Sequence, residues 1–193
     1  HHKESVIEFL NKQFPDNISK IKFAHQDKQL GTGHAIMQTK KLLENYKGNV
    51  MILSGDVPLL KYETIVSFLK FHNDNNFEAS LISAILDNPS GYGRVLRDDE
   101  ENFYDIREEK DCSEVERKCK EINSGIYLVD NEILFDALNS LKTDNAQGEY
   151  YLTDIFKYFK SIGKKIGALP VNDLKEISGV NSVEQLEDLE KSI

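Results

Sequence analysis

Short apolar runs alternate with amphipathic stretches through the first half of the chain. Val50–Leu53, bounded by Gly48 and Gly55, has the length and flanks of a buried strand. Ile18–Ala24 and Ala79–Leu86 read as two further strands. Ser5–Gln13 and Glu63–His72 carry apolar residues at helical spacing, the second following Pro58. Thr32 is suited to cap a helix running to about Tyr46. This alternation predicts βαβ units and an α/β domain with a mostly parallel sheet flanked by helices.

The second half is more mixed. Arg94–Leu96 and Phe103–Arg107 predict a hairpin across the polar tip Asp98–Asn102, and Ile122–Val129 predicts a strand. Helices are expected over Asn131–Leu141 and Tyr151–Ser161, and a last short strand over Ile166–Leu169. Ser182 is placed to cap a final helix, Val183–Ile193, with Leu186 and Leu189 on one face. No repeat or Pro/Gly/Ser linker breaks the chain, so one domain over residues 1–181 followed by a helix from 182 to 193 is the expected organisation. A doubly wound domain normally opens on a strand and binds its ligand at the carboxyl ends of its strands. This chain opens on a helical pattern instead.

Composition narrows the function classes. The 193 residues suffice to bury a core, and 39% hydrophobic with 30% charged residues is ordinary for a globular domain. A net charge of −9 without a basic stripe argues against a nucleic-acid partner. No apolar run approaches the roughly 18 residues of a membrane span, and His1-His2-Lys3-Glu4 does not begin a signal peptide. Cys112 and Cys119, seven apart in a charged stretch, fit no zinc spacing and read as free thiols of a reducing, cytoplasmic compartment.

Five motifs have residue types suited to chemistry, each with a plain structural reading beside it, and a sixth, Gln147–Asp154, has only the structural one. Gln26-Asp27-Lys28-Gln29-Leu30-Gly31-Thr32-Gly33 falls between a strand and a helix. Its glycines would let a flat group approach the backbone, and an amide such as Gln26 both accepts and donates, as reading a uracil edge requires. It equally reads as a strand-to-helix turn with a threonine cap. Asp56 follows the strand over Val50–Leu53 and the small Gly55, where a carboxylate can hold Mg²⁺ or simply close a turn. Gly91-Tyr92-Gly93 is either a loop packed against a ligand or a hairpin entry. Glu108 could accept from sugar hydroxyls, and Asn123 could pair with a hydroxyl or an N-acetyl amide, although Glu108-Glu109-Lys110 also reads as a solvated face. Gln147–Asp154 reads as a helix entry. Asn181 offers a neutral hard oxygen for Mg²⁺ or a turn asparagine.

In this order the motifs resemble one family. Q-x-x-Q-L-G-T-G-H-A, G-D-V-P-L, N-P-S-G-Y-G-R, I-N-S-G-I-Y, N-A-Q-G-E-Y-Y-L-T-D and G-V-N-S, with an acidic E-x-K-D stretch at Glu108, look like the uridylyltransferase domain of bacterial N-acetylglucosamine-1-phosphate uridylyltransferases, over about Ile18 to Ser192. The resemblance implies a Rossmann-like nucleotide-diphospho-sugar transferase fold. It implies that residues 1–181 form an N-terminally truncated nucleotidyltransferase domain and that 182–193 begin a linker helix. Gln26, Gly31 and Thr32 would read the uracil. Asp56 and Asn181 would hold the catalytic Mg²⁺. Gly55, Gly93, Glu108 and Asn123 would contact the substrate, the last three at its N-acetylglucosamine part.

The implied reaction joins UTP and N-acetylglucosamine 1-phosphate into UDP-N-acetylglucosamine and pyrophosphate, by positioning and charge neutralisation. The family's Gly-rich phosphate loop would precede His1, Ser54 stands where the family often has an aromatic residue, and the acetyltransferase domain that trimerises the family would follow Ile193. The expectation is therefore little or no turnover for these 193 residues. Another sugar-1-phosphate nucleotidyltransferase and a non-catalytic nucleotide-sugar binding fragment are the alternatives.

Overall fold

The structure, a computed structural model, describes residues 3–180 and 182–190. Six strands form one mixed sheet: β1 (Asn49–Ile52), β2 (Ala79–Ile85), β3 (Arg94–Arg97), β4 (Phe103–Arg107), β5 (Glu121–Asp130) and β6 (Ile166–Val171). The order is β4-β3-β5-β2-β6, with β1 also paired to β5. Strands β1, β2, β3 and β6 run in one direction, yet only β2 and β6 meet as a parallel ladder. The long β5 runs against them, pairing antiparallel with β1, β2 and β3. The parallel character expected from the alternation lies in strand direction, while β5 supplies most of the ladders.

Side-chain alternation explains why both faces are covered. On β5, Tyr127 and Val129 enter one core and Ile126 and Leu128 the other. The first core is closed by α2 (Thr32–Met37), α5 (Asn131–Asn139) and α6 (Ile155–Ser161), and the second by α4 (Tyr62–Asp74) through Phe68. Phe156 of α6 is fully buried between Phe103 and Tyr127, with ring centroids 5.3 and 5.6 Å away. Burying a side chain of this size contributes about 1.5–3 kcal/mol. On the other face His72 of α4 bonds Ser80 of β2 at 2.7 Å, and burial lowers the imidazole pKa.

The β2–β5 register slips between Leu81 and Ser83, opposite residues 124–126. Gly125 there has φ +79°, and a Cβ on it would lie 2.9 Å from Ser54 Oγ. Ser124 Oγ donates to the Ile82 carbonyl at 2.7 Å and accepts from the Ile126 N–H at 3.2 Å. The bulge therefore keeps its backbone groups satisfied while turning Asn123 and Tyr127 to the same side.

Three expected elements differ. Ile18–Ala24 is not a strand: Ile18–Lys20 forms a 3-10 turn and Phe23 is 47% exposed. Its apolar alternation suits a strand, but a ladder needs a partner, and none of the six strands pairs with it. Thr32 is not the cap of its helix. Gly31 takes that position, and Thr32 Oγ1 accepts from the distant Leu152 N–H at 3.1 Å. The helix expected to reach Tyr46 breaks at Gln38–Thr39 into α2 and α3 (Lys40–Leu43). Buried Asn131 then binds the Leu43 and Tyr46 carbonyls at 2.8 and 2.7 Å. The first helix, α1 (Lys3–Gln13), and the last, α7 (Val183–Glu190), match their expected spans within the described residues. Ser182 Oγ accepts from the Gln185 N–H at 3.2 Å, as a cap does. No helix among the described residues is long and apolar enough to cross a membrane, and both cysteines are free.

Candidate active site

The carboxyl end of β1, the bulge in β5, the 90–93 loop and the start of α2 surround a cavity of about 570 Å³. That size suits a small-molecule ligand. Thr32, Asp56, Gly93, Glu108 and Asn123 all line it, although they come from five separate stretches of sequence.

Asp56 lies in the turn that leaves β1. Its side chain is exposed and has no partner among the described residues. Its carbonyl accepts from the Val180 N–H at 2.8 Å, which brings the chain up to Val180 against this turn. The same pair of segments is fastened further back. Buried Glu176 accepts from the Lys61 N–H at 3.2 Å, and Lys61 Nζ lies 2.6 Å from Asp173. Asn181 itself lies outside the described residues. No group of three or more His, Cys, Asp or Glu that could hold a metal occurs among the described residues, but one carboxylate plus one amide falls outside that pattern.

Gln26 and Gly31 line an adjoining hollow of about 290 Å³ that shares Thr32 and Ala35 with the main cavity. Gln26 Nε2 donates to the Gly31 carbonyl at 3.3 Å and lies 3.0 Å from His34 Nδ1, which leaves its amide oxygen without a partner among the described residues. The glycines beside Thr32 have a reason the sequence concealed. A Cβ on Gly31, at φ +106°, would meet the Tyr150 carbonyl at 2.7 Å, and one on Gly33 would meet Leu141 at 2.5 Å. The close approach is made by the chain's own backbone. Gly33 N–H donates to the Tyr150 carbonyl and Tyr150 N–H to the Leu30 carbonyl, both at 2.8 Å. The Gln147–Asp154 motif, read from sequence as a helix entry, is thus the second half of this joint. Gly55 lines neither hollow; its neighbours Ser54 and Asp56 line the larger one.

Glu108, Asn123 and Gly93 give the same cavity a polar lining. Glu108 Oε1 accepts from Thr153 Oγ1 at 2.9 Å. Burial pushes the Glu108 carboxyl pKa upward, the negative neighbours Asp154 and Asp111 add to this, and Thr153 and Lys157 oppose it. Asn123 N–H donates to the Gly93 carbonyl at 2.9 Å, and Asn123 Nδ2 donates to the Tyr127 hydroxyl at 2.7 Å. Arg94, 2% exposed, pairs with Glu109 at 2.7 Å and donates to the Tyr92 carbonyl, bracing the 90–93 loop. Sequence reasoning assigned no role to Tyr127, Thr153 or Ser54. The first two sat inside quoted motifs, but Tyr127 takes its place from the bulge that turns it toward Asn123, and Thr153 from Glu108, 45 residues away.

A family model for nucleotidyl transferases matches residues 2–174. The chain belongs to the nucleotidyl transferase family. Among curated nucleotidyl transferase relatives, the bifunctional protein GlmU of Clostridium kluyveri is 43% identical over 198 residues, covering 98% of this chain and 43% of the relative. GlmU of Clostridium tetani is 47% identical over 170 residues, covering 88% and 37%, and that of Caldanaerobacter subterraneus 44% over 191, covering 99% and 40%. The chain therefore spans roughly two fifths of the length of these relatives. A solved structure assigned as a glucose-1-phosphate thymidylyltransferase of Bacillus anthracis, in complex with sucrose, superposes with a TM-score of 0.70. At 18% identity over 99% of this chain and 72% of that one, it supports the transferase fold alone.

Proposed function

We propose that this domain carries the uridylyl-transfer site of an enzyme that joins UTP and N-acetylglucosamine 1-phosphate into UDP-N-acetylglucosamine and pyrophosphate. The observation that carries the reading is that five separately coded motif residues, Thr32, Asp56, Gly93, Glu108 and Asn123, share one cavity. The hollow beside Gln26 and Thr32 would take the uracil, and the free Gln26 amide oxygen suits the N3–H of that base. Glu108 and Asn123 would receive the sugar. Catalysis of such a transfer rests on holding the phosphate oxygen in line with the α-phosphorus, with no covalent intermediate on the protein.

The donors fit Mg²⁺. Asp56 offers an exposed, unshared carboxylate, a hard oxygen ligand, and the Val180–Asp56 hydrogen bond brings the residue preceding Asn181 beside it. Asp56 and Asn181 would hold the ion, which when bound offsets phosphate charge. Calorimetric titration of the chain with UDP-N-acetylglucosamine tests the reading. Binding is expected to tighten with Mg²⁺, and Asp56→Asn should abolish that gain, roughly tenfold in Kd, while leaving metal-free binding unchanged. Indifference to Mg²⁺, or a preference for UDP-glucose, would overturn it.

A further inference from the structure

The polar lining around Glu108 and Asn123 holds a proton donor that the assigned residues leave unused. Asn123 Oδ1 accepts from the Gly125 N–H at 3.0 Å. A backbone N–H can only donate, so this contact fixes the amide with its oxygen toward Gly125. The NH₂ edge is therefore the one facing Tyr127, 2.7 Å away, and the phenolic oxygen must accept. Tyr127 keeps one proton, and no acceptor for it is present among the described residues.

The ring has little freedom to send that proton elsewhere. Tyr127 is 4% exposed, packs on Phe156 with ring centroids 5.6 Å apart, and lines the cavity beside Glu108 and Asn123. Burial and the nearby Glu108 charge both push its pKa upward, so the hydroxyl remains a donor throughout the neutral range. Glu108 complements it, because among the described residues its carboxylate takes one hydrogen bond, from Thr153, and retains accepting capacity. A carboxylate that accepts and a phenol that donates, on one wall, match a group that offers an N–H and a C=O together. An acetamido group offers the two on separate atoms, whereas a lone hydroxyl must both donate and accept through one oxygen.

We propose that the Tyr127 hydroxyl is a specificity-determining donor, accepting from the Asn123 amide and delivering its own proton to the acyl oxygen of an N-acetylated sugar. This rests on the nucleotide-sugar reading of the cavity given above. The test is calorimetry on the full chain with UDP-N-acetylglucosamine, UDP-glucose and UDP, for the wild type, Tyr127→Phe and Asn123→Asp. Tyr127→Phe keeps the packing on Phe156 and removes only the hydroxyl. It should lose roughly tenfold in affinity for the N-acetylated ligand, with UDP and UDP-glucose changed less than about twofold. Asn123→Asp keeps the ring and supplies an anion that captures the phenolic proton, so it too should erase the preference for the N-acetylated ligand. Equal losses on all three ligands would make Tyr127 structural and overturn the proposal, as would a preference that survives both substitutions. A wild type that binds none of the three would overturn the nucleotide-sugar reading as well, which separates the two failures.

Discussion

Glu108 carries a charge where burial disfavours it. Its folded pKa is raised above the ordinary carboxyl value of 4.5, first by desolvation and then by Asp154 and Asp111. A carboxyl raised in this way binds its proton more tightly folded than unfolded. Its favourable contribution is present below the unfolded pKa and is lost as pH rises through the folded one. At neutral pH the ionised form is a liability that ligand binding has to justify. Glu108→Gln should therefore raise the melting temperature at pH 7, with the difference vanishing as pH falls below about 4.5. The same variant should weaken nucleotide-sugar binding, because an accepting carboxylate becomes an amide. Thermal melts across pH check the first part and calorimetry the second; a lower melting temperature for Glu108→Gln at pH 7 contradicts the argument. Sequence made the candidate visible as one member of an acidic run. What it could not supply was Thr153, 45 residues away, which orients the carboxylate.

At the scale of elements, the joint between Leu30–Gly33 and Glu149–Leu152 is the most constrained contact near the site. Gly31 combines φ +106° with backbone atoms of Tyr150 within 3 Å of where a Cβ would stand. Neither can move without pulling the other strand of the joint, so Gly31→Ala should cost about 1–3 kcal/mol of stability, readable as a shift in the urea midpoint. Strands and helices dominated by one local pattern were legible: β1, β2, α4, α5 and the β3–β4 hairpin fall within a few residues of their expected spans. The failures share one cause. Ile18–Ala24 has strand periodicity but pairs with none of the six strands, and Thr32 has capping chemistry that a remote N–H, that of Leu152, engages instead. Local propensity yields where a distant segment completes the hydrogen bonding.

Across the whole molecule, the cavity depends on how residues 173–180 are held against residues 56–61. Glu176 is 5% exposed and accepts from the Lys61 N–H, so removing it strands a backbone donor at the start of α4. Glu176→Ala should cost about 1–3 kcal/mol and speed hydrogen exchange at the Lys61 and Val180 amides together. Unchanged exchange at Val180 would show that the two fastenings act independently. Order along the sequence revealed that the motifs belonged together. It did not reveal that Thr32, Leu152 and Thr153 line one cavity, because that follows from hydrogen bonds across more than a hundred positions, Gly33 to Tyr150 and Leu152 to Thr32.

The central position of β5 also bears on how the molecule is made. Among the described residues, β1 and β2 find their neighbours in β5 and β6, which leave the ribosome after them. Until Glu121–Asp130 emerges, two apolar ribbons wait with open edges, the circumstance in which nascent polypeptides stick to one another. Translation halted just before Glu121 should therefore yield a chaperone-bound species, and synthesis continued past Asp130 should release it.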